Sequence, residues 1–231
     1  MYFRFLSPFA LSRRMYIRLR VANEDFCSKS VRPRTSIFAH TRVAAMICDN
    51  PFLKVKEKIM YVLQPAKEEH FACIMDILNG GREFQRAQGF VQWPDGYPPA
   101  SMIEEDIKEG LGYVLLEGDA VAAYLYLSFD GDPAYPQIKG KWHYDEPYAV
   151  IHRMATAAEF RGKGAADAVF CLVEKIVSKR GIRTLRIDTD GENKRMQHVL
   201  EKNGFSYCGT VVQGGGDRMA YDKYVGDVAT E

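Results

Sequence analysis

Residues 159–170 read EFRGKGAADAVF, and this stretch decides how the rest of the chain is interpreted. Two glycines and two alanines follow Arg161 closely, with Lys163 between the glycines. Glycine has no Cβ, and a helix that begins here leaves its first backbone N–H groups without partners. A bare backbone beside positive charge suits an anion that comes close to the main chain. The stretch therefore predicts a phosphate-binding helix start.

Two common phosphate-binding patterns do not fit this stretch. A P-loop requires G-x-x-x-x-G-K-[ST], whereas Gly162-Lys163 is followed by Gly164 and has no earlier glycine at the required distance. The dinucleotide-binding pattern G-x-G-x-x-G fails at Asp167, where close packing of helix on strand requires a small residue. A P-loop is excluded, and a dinucleotide-binding turn is disfavoured.

Strand and helix patterns alternate from Met60 onward. The order strand, helix, strand after residue 148 predicts a right-handed crossover and a locally parallel pair of strands. We therefore expect an α/β (α+β) fold with a mixed, mostly antiparallel twisted sheet and helices on both faces. The predicted strands are 60–66, 112–118, 120–129, 148–156, 184–190 and two within 205–225; the predicted helices are 67–81, ended by its glycines, a second piece at 82–90, then 101–110, 164–181 and 192–204.

Charge divides the chain into two parts. Residues 1–48 carry eight Arg and one Lys against Glu24 and Asp25, a net charge of +7, so that the remainder carries −6 within a total of +1. We expect residues 1–57 to be a poorly structured extension outside the core, and residues 58–231 to be the functional domain. The extension is basic and aromatic, which suits either an organelle transit peptide or an upstream stretch before a start at Met46 or Met60.

Composition narrows the partners and the compartment. The near-zero net charge gives no reason to expect nucleic acid or an anionic membrane as a partner, and the chain has no apolar run of the length that a membrane span requires. Its five cysteines are odd in number, scattered and never spaced C-x-x-C. We expect a cytoplasmic protein without a disulfide framework and without a zinc or other metal site. The sequence leaves open whether the protein forms a homodimer.

Arg161, Gly164 and Ala166 spell R-x-x-G-x-A after a predicted strand and at the start of a predicted helix. This pattern resembles the coenzyme A pyrophosphate loop of the GNAT superfamily of N-acetyltransferases. A second motif agrees, because Asn193 opens the later helix and the pair Gly204-Phe205 ends it twelve residues on. The resemblance covers about residues 60–225 and is clearest from Tyr148 onward.

The resemblance implies a GNAT-like fold that uses acetyl-CoA as cosubstrate, and it assigns the residues that bind it. The backbone at the end of the 148–156 strand would hold the pantetheine arm as an added strand. Amides at the helix start would hold the pyrophosphate, aided by the helix dipole and by two basic side chains. The implied residues are Met154, Ala155 and Thr156 for pantetheine, Arg161, Gly162, Lys163, Gly164, Ala165 and Ala166 for the pyrophosphate, and Asn193 for the pantetheine or the adenosine-linked phosphate region.

One position departs from the family pattern. Many relatives have, seven residues after the helix-opening Asn, a tyrosine that protonates the departing thiolate, and here that position is Leu200. Tyr207, Tyr221 or water could supply the proton instead, because much of the rate can come from holding the reactants together. The alternative is a catalytically silent acyl-CoA-binding module of the same fold.

Acetyl transfer to a primary amine of a small molecule or peptide also needs a base near the thioester. His152 is the candidate, because alternation along the strand puts it on the same face as Met154. The alternative for His152 is a hydrogen-bonded core histidine, in which case Glu146 or Asp145 could act through water.

The acceptor pocket should come from aromatic residues that precede the cofactor half of the chain. Trp93 and Tyr97 lie in the Pro- and Gly-rich loop, and Trp142 follows in the long irregular stretch. Aromatic rings with Asp95, Asp145 and Glu146 nearby suit a small cationic amine. The alternative for each ring is ordinary packing.

Overall fold

The structure is a computed structural model that describes residues 60–226. The predicted extension, residues 1–57, lies outside the described residues. Within residues 60–226, no helix has both the length and the apolar character needed to cross a membrane.

Eight strands form one sheet in the order β1-β2-β3-β5-β6-β8-β7-β4. Only β5 and β6 pair in parallel, and every other neighbouring pair in the described chain is antiparallel. The predicted mixed, mostly antiparallel sheet with one locally parallel pair is confirmed. The strands are β1 Tyr61–Pro65, β2 Gly112–Glu117, β3 Ala120–Ser128, β4 Lys139–Gly140, β5 Tyr148–Thr156, β6 Thr184–Asp190, β7 Ser206–Gln213 and β8 Gly216–Tyr224.

Within residues 60–226, four α-helices pack with this sheet: α1 Phe71–Ala87, α2 Ala100–Lys108, α3 Ala165–Lys179 and α4 Lys194–Lys202. Helix α3 provides the crossover between β5 and β6, and its apolar side chains join the main hydrophobic core. Val169 and Val173, one helical turn apart, are both fully buried in that core. Cys171 on α3 is disulfide-bonded, whereas the sequence predicts a protein without a disulfide framework.

Helix α1 is one continuous helix, and the predicted stop at its glycines is wrong. It runs through Gly80 and Gly81 as far as Ala87. A Cβ at Gly81 would lie 3.2 Å from the Trp93 ring and 3.4 Å from the Ala155 Cβ. Glycine here lets the helix approach its neighbours closely, and packing outweighs the low helix propensity of glycine.

The stretch between β3 and β5 is mostly irregular, as predicted, with a short 3-10 turn at Tyr135–Gln137 and the two-residue strand β4. Strand β4 pairs with β7 at the edge of the sheet. A Cβ on Gly140 would lie only 2.3 Å from the Cys208 carbonyl oxygen. Glycine is therefore required for this close pairing.

Strands β5 and β6 part in the middle of the sheet, and this opening positions the site. They pair only from Tyr148 with Thr184 to Ile151 with Ile187. Beyond Ile151, β5 stays paired with β3, while β6 stays paired with β8 along its whole length. One side of β5 from residue 152 to 156 is consequently left without a strand partner.

Candidate active site

A β-bulge in β5 accounts for the parting of the strands. Tyr124 and Tyr126 of β3 lie opposite Ala155 and His152, so β5 has one extra residue over this interval. Arg153 has a φ of 50°, in the left-handed region that non-glycine residues rarely adopt. A bulge of this kind bends its strand and increases its twist. The bulge therefore turns the second half of β5 away from β6.

The side chain of Arg153 fixes the bulge. Its guanidinium makes a bidentate ion pair with Asp106 of α2, at 2.7 and 3.1 Å, and covers the Tyr126 ring at 4.2 Å. The Tyr124 hydroxyl donates to the same carboxylate at 2.6 Å, and burial followed by this hydrogen bond raises the pKa of Tyr124. Together these contacts hold Arg153 in its strained backbone conformation, since a positive φ in a non-glycine residue persists only where the surrounding structure stabilises it.

A cleft of about 1170 Å³ lies along the unpaired side of β5. It runs from the start of α3 and the side of α4 to the residues around His152, so one space contains the predicted cofactor half and the predicted acceptor half. This volume exceeds that of an ordinary small-ligand pocket, and it suits two substrates held end to end. The predicted site residues that line it are Trp93, Tyr97, His152, Met154, Ala155, Thr156, Arg161, Gly162, Gly164, Ala165, Ala166 and Asn193.

The loop before α3 presents its backbone to the cleft. Gly162 and Gly164 have φ values of 75° and 84°, and Gly164 is the N-cap of α3. Both conformations favour glycine, which explains the glycine pair in the sequence. The first N–H groups of α3 have no carbonyl acceptors within the helix, so they are available to an anion in the cleft.

The basic side chains of this loop are arranged differently from the prediction. The Arg161 guanidinium donates to the carbonyl oxygens of Thr156 at 3.2 Å and Gly80 at 3.0 Å, and it lies 4.5 Å from the Phe84 ring centroid. Arg161 therefore ties α1 to the end of β5, and its burial lowers its pKa. Lys163 is exposed and is not among the residues that line the cleft. An anion bound at this loop would therefore meet mainly backbone N–H groups.

Other basic residues on the cleft wall come from α4 and were missed in the sequence. Lys194, Arg195, His198 and Lys202 all line the cleft. Lys194, His198 and Lys202 follow the four-residue spacing that repeats one face of a helix, and Arg195 lies next to Lys194. This pattern in the sequence could have signalled a second anionic contact.

Asn193 caps α4 and anchors a loop rather than facing the cleft as a free side chain. Its Oδ1 accepts from the Met196 amide at 3.2 Å, and its Nδ2 donates to Gln92 Oε1 at 3.3 Å. Gln92 Oε1 also accepts from the Thr189 hydroxyl and the Asp190 amide, each at 3.2 Å. Gln92 thus ties the loop before α2 to the far side of the cleft.

His152 lies where β5 and β6 part, with 18% of its side chain exposed. Its Nε2 is 3.0 Å from Asp132 Oδ2, and its Nδ1 is 3.8 Å from Asp188 Oδ1. Asp188 also accepts a hydrogen bond of 2.9 Å from the Tyr135 hydroxyl. Both carboxylates border the cleft, so His152 is partly buried, lies beside two acidic side chains and is open to the cleft.

Sequence reasoning missed these two aspartates. Asp188 is the fifth residue of β6, and Asp132 lies in the irregular stretch after β3. A polar residue in an otherwise buried strand was the available signal for Asp188, since charged side chains are rarely buried without a partner. No local pattern marks Asp132, because its contact with His152 joins residues 20 positions apart.

The predicted aromatic pocket is only partly present. Trp93 is 7% exposed and lies with its ring 6.5 Å from that of Tyr97, both on the cleft wall. Trp142 is not among the residues lining the cleft, and its predicted substrate role is not supported. Its ring packs against Tyr135 at 5.1 Å and under the Arg186 guanidinium at 4.2 Å.

The remaining candidates for proton transfer lie away from the cleft. Asp145 and Glu146 are exposed, and neither is among its lining residues. Tyr207 and Tyr221 pair with each other at 5.7 Å, and neither of them lines it. Leu200 is completely buried in the core. Within the described chain, the tyrosines that do line the cleft are Tyr97 and Tyr126.

A second cluster of polar side chains lies outside the cleft. His143 Nδ1 is 2.8 Å from Asp222 Oδ1 and 3.2 Å from Cys208 Sγ. Two ligand atoms on a tetrahedral zinc ion lie about 3.3 Å apart, given zinc bonds of about 2.0 Å to nitrogen or oxygen. The 2.8 Å between His143 Nδ1 and Asp222 Oδ1 is shorter than this separation and is typical of a hydrogen bond. Burial, and then the adjacent Asp222, raise the pKa of the Cys208 thiol to about 12.

Known proteins share this fold and this sequence pattern. The model of the acetyltransferase (GNAT) family matches residues 78–205. An acetyltransferase of the GNAT family from Streptococcus agalactiae is 31% identical, with a TM-score of 0.65 over 71% of this chain and 95% of its own. None of the curated proteins compared with the chain matches it.

Two more distant structures share the fold. A GNAT-family acetyltransferase from Listeria monocytogenes is 18% identical, with a TM-score of 0.57 over 71% of this chain and 94% of its own. The acetyltransferase AAC(6')-Ib, in complex with ribostamycin and coenzyme A, is 20% identical, with a TM-score of 0.52 over 71% and 93%.

The parted sheet, the glycine loop at the start of α3 and the family match define one class of protein. The chain belongs to the GNAT acetyltransferase family.

Proposed function

We propose that the protein transfers an acetyl group from acetyl-CoA to a primary amine of a small molecule or peptide. The observation that carries this proposal is the unpaired side of β5 in a cleft that also contains the start of α3. An extended pantetheine arm can add to such an edge as a strand would, with its pyrophosphate at the helix N-terminus. The fold shared with a protein crystallised with coenzyme A supports the same assignment.

The backbone of Met154 and Ala155 would hold the pantetheine arm beside the bulge. The Thr156 carbonyl oxygen is already engaged by Arg161, so it contributes less to this arm than the sequence predicts. The amides of Gly164, Ala165 and Ala166 would hold the pyrophosphate, and the basic face of α4 would meet the remaining phosphate. Acetyl-CoA supplies an activated acyl group, and these residues fix where its carbonyl carbon lies.

The acceptor amine would enter on the side of Trp93 and Tyr97. Its nitrogen attacks the carbonyl carbon, a carbon–nitrogen bond forms, the carbon–sulfur bond breaks, and the electron pair leaves with the sulfur. His152 would take the proton that the amine loses, because it lies at the parting of the strands and borders the cleft. Holding the amine and the thioester together supplies much of the rate.

A catalytically silent acyl-CoA-binding module is the second candidate. The observation that favours it is Leu200, which is 0% exposed and carries no proton at the position of the usual tyrosine. Coenzyme A is a fair leaving group, so this loss lowers the rate without abolishing transfer. Both candidates bind acetyl-CoA, and only turnover separates them.

The test is release of free thiol from acetyl-CoA in the presence of polyamines, amino acids, aminoglycosides and peptides. We expect at least one of these classes to raise thiol release well above the rate without amine. The matched control is His152→Gln, which should remove the amine-dependent part while leaving acetyl-CoA binding intact. Thiol release that is independent of every amine would instead establish the binding module.

A further inference from the structure

Three hydrogen bonds fix the carboxylate of Asp132. Its Oδ1 accepts from the Ala134 amide at 2.7 Å, and its Oδ2 accepts from Gln213 Nε2 at 2.9 Å. His152 Nε2 lies 3.0 Å from the same Oδ2. Burial alone would raise the pKa of Asp132, but the hydrogen bonds from His152, Ala134 and Gln213 lower it overall. Asp132 is therefore an ionised carboxylate that can only accept hydrogen bonds.

This acceptor decides the tautomer of His152. In a neutral imidazole, one ring nitrogen carries the proton and the other has the lone pair. Because Asp132 accepts at Nε2, the proton lies on Nε2 and the lone pair on Nδ1. The 3.8 Å between Nδ1 and Asp188 Oδ1 is too long for a hydrogen bond, which agrees with an unprotonated Nδ1.

We propose that Asp132 is a positioning residue for acetyl transfer, which holds His152 with Nδ1 unprotonated and directed at the acceptor amine. This inference rests on the proposed function. The proton of the attacking amine passes to Nδ1, directly or through one water molecule, while Nε2 keeps its own proton. The resulting imidazolium lies between the carboxylates of Asp132 and Asp188, which stabilise its charge.

The groups around His152 are consistent with this arrangement. The rings of Tyr126 and Tyr135 pack on it at 6.3 and 6.1 Å. Arg218, whose positive charge acts on Asp188, is paired with Asp190. Among the described residues, the groups that pair with or pack on the imidazole are therefore Asp132, Asp188, Tyr126 and Tyr135.

The direct test is nuclear magnetic resonance of protein labelled with ¹⁵N-histidine at neutral pH. We expect His152 to show a protonated Nε2 and an unprotonated Nδ1, with its signals assigned by their loss in His152→Gln. In Asp132→Asn, the new amide donates toward Nε2 and should reverse the tautomer. A wild-type His152 that is protonated on Nδ1 would overturn the proposal, and this measurement does not depend on turnover.

Kinetics provide the second arm. Asp132→Asn should lower kcat by about a hundredfold or more, as loss of a general base does, with the KM for acetyl-CoA changed less than about twofold. Asp145→Asn is the matched control, because it makes the same chemical change on an exposed carboxylate outside the cleft. A kcat in Asp132→Asn within about threefold of wild type would overturn the role of Asp132. A wild type that releases no thiol with any amine would overturn the proposed function, and with it that role, whatever the tautomer.

Discussion

The two adjacent glycines of α1 should respond differently to the same substitution. Replacing glycine by alanine inside a helix stabilises it by about 0.8–1.0 kcal/mol. A Cβ at Gly80 would meet only the Arg161 Nη2 atom, at an ordinary 3.7 Å, so Gly80→Ala should gain about 1 kcal/mol. At Gly81 the new Cβ would lie 3.2 Å from the Trp93 ring and 3.4 Å from Ala155. Such overpacking costs about 1–3 kcal/mol, so Gly81→Ala should be neutral or destabilised by up to about 2 kcal/mol.

Urea denaturation at neutral pH measures both free energies of unfolding by linear extrapolation. The two variants make the same substitution at adjacent positions of the same helix. The difference between their free energies of unfolding therefore isolates the contact of α1 with Trp93 and β5. Gly81→Ala should also raise the KM for the amine, because Trp93 forms part of the cleft wall. Equal stabilisation of both variants would show that this contact is loose and that packing does not explain the glycine.

Three further predictions concern the N-terminal extension, His152 and Asp188. A chain that begins at Met60 should fold and bind acetyl-CoA as the full chain does, compared in reducing buffer by melting and calorimetry; loss of solubility would place the extension in the core. His152→Gln should lower turnover by about a hundredfold to ten-thousandfold and remove the fall in rate at acidic pH; a change below about threefold would refute the base. Burial raises the pKa of Asp188, so the charged form of this side chain destabilises the folded protein, with the full cost present above the raised pKa. Asp188→Asn should therefore increase the free energy of unfolding at pH 8, and this gain should shrink as acidification neutralises Asp188 in the wild type. A gain in the free energy of unfolding that stays constant as the pH is lowered would contradict a raised pKa for Asp188.

The central unit of the fold follows from local sequence. The strands at 148–156 and 184–190 have the predicted bounds, because their apolar runs and flanking turns are unambiguous and the glycine loop fixes the helix between them. Helix α1 differs, because Gly81 is required by its contacts with Trp93 and Ala155, which are distant in sequence. Propensity read residue by residue cannot detect such a contact.

The candidate site divides in the same way. Its cofactor half is largely backbone at a helix start, and glycine spacing reports that geometry directly. The acceptor half depends on Asp132, His152 and Asp188, which meet only because a bulge at Arg153 turns β5 away from β6. Arg161 and Asn193 belong to motifs that the sequence does reveal, but their side chains are engaged in structural hydrogen bonds.

Calorimetric titration with acetyl-CoA of the wild type and of Gly164→Glu tests the account most directly. The wild type should bind one equivalent of acetyl-CoA. In Gly164→Glu, the carboxylate of the new glutamate would enter the anion site at the start of α3, so this variant should show no measurable binding. Gly181→Glu is the matched control, since Gly181 has a similar φ of 74°, follows the other end of the same helix, and has open space around its Cβ. It should bind as the wild type does. A wild type that does not bind, or a folded Gly164→Glu that binds with unchanged affinity, would contradict the assignment of this cleft to acetyl-CoA.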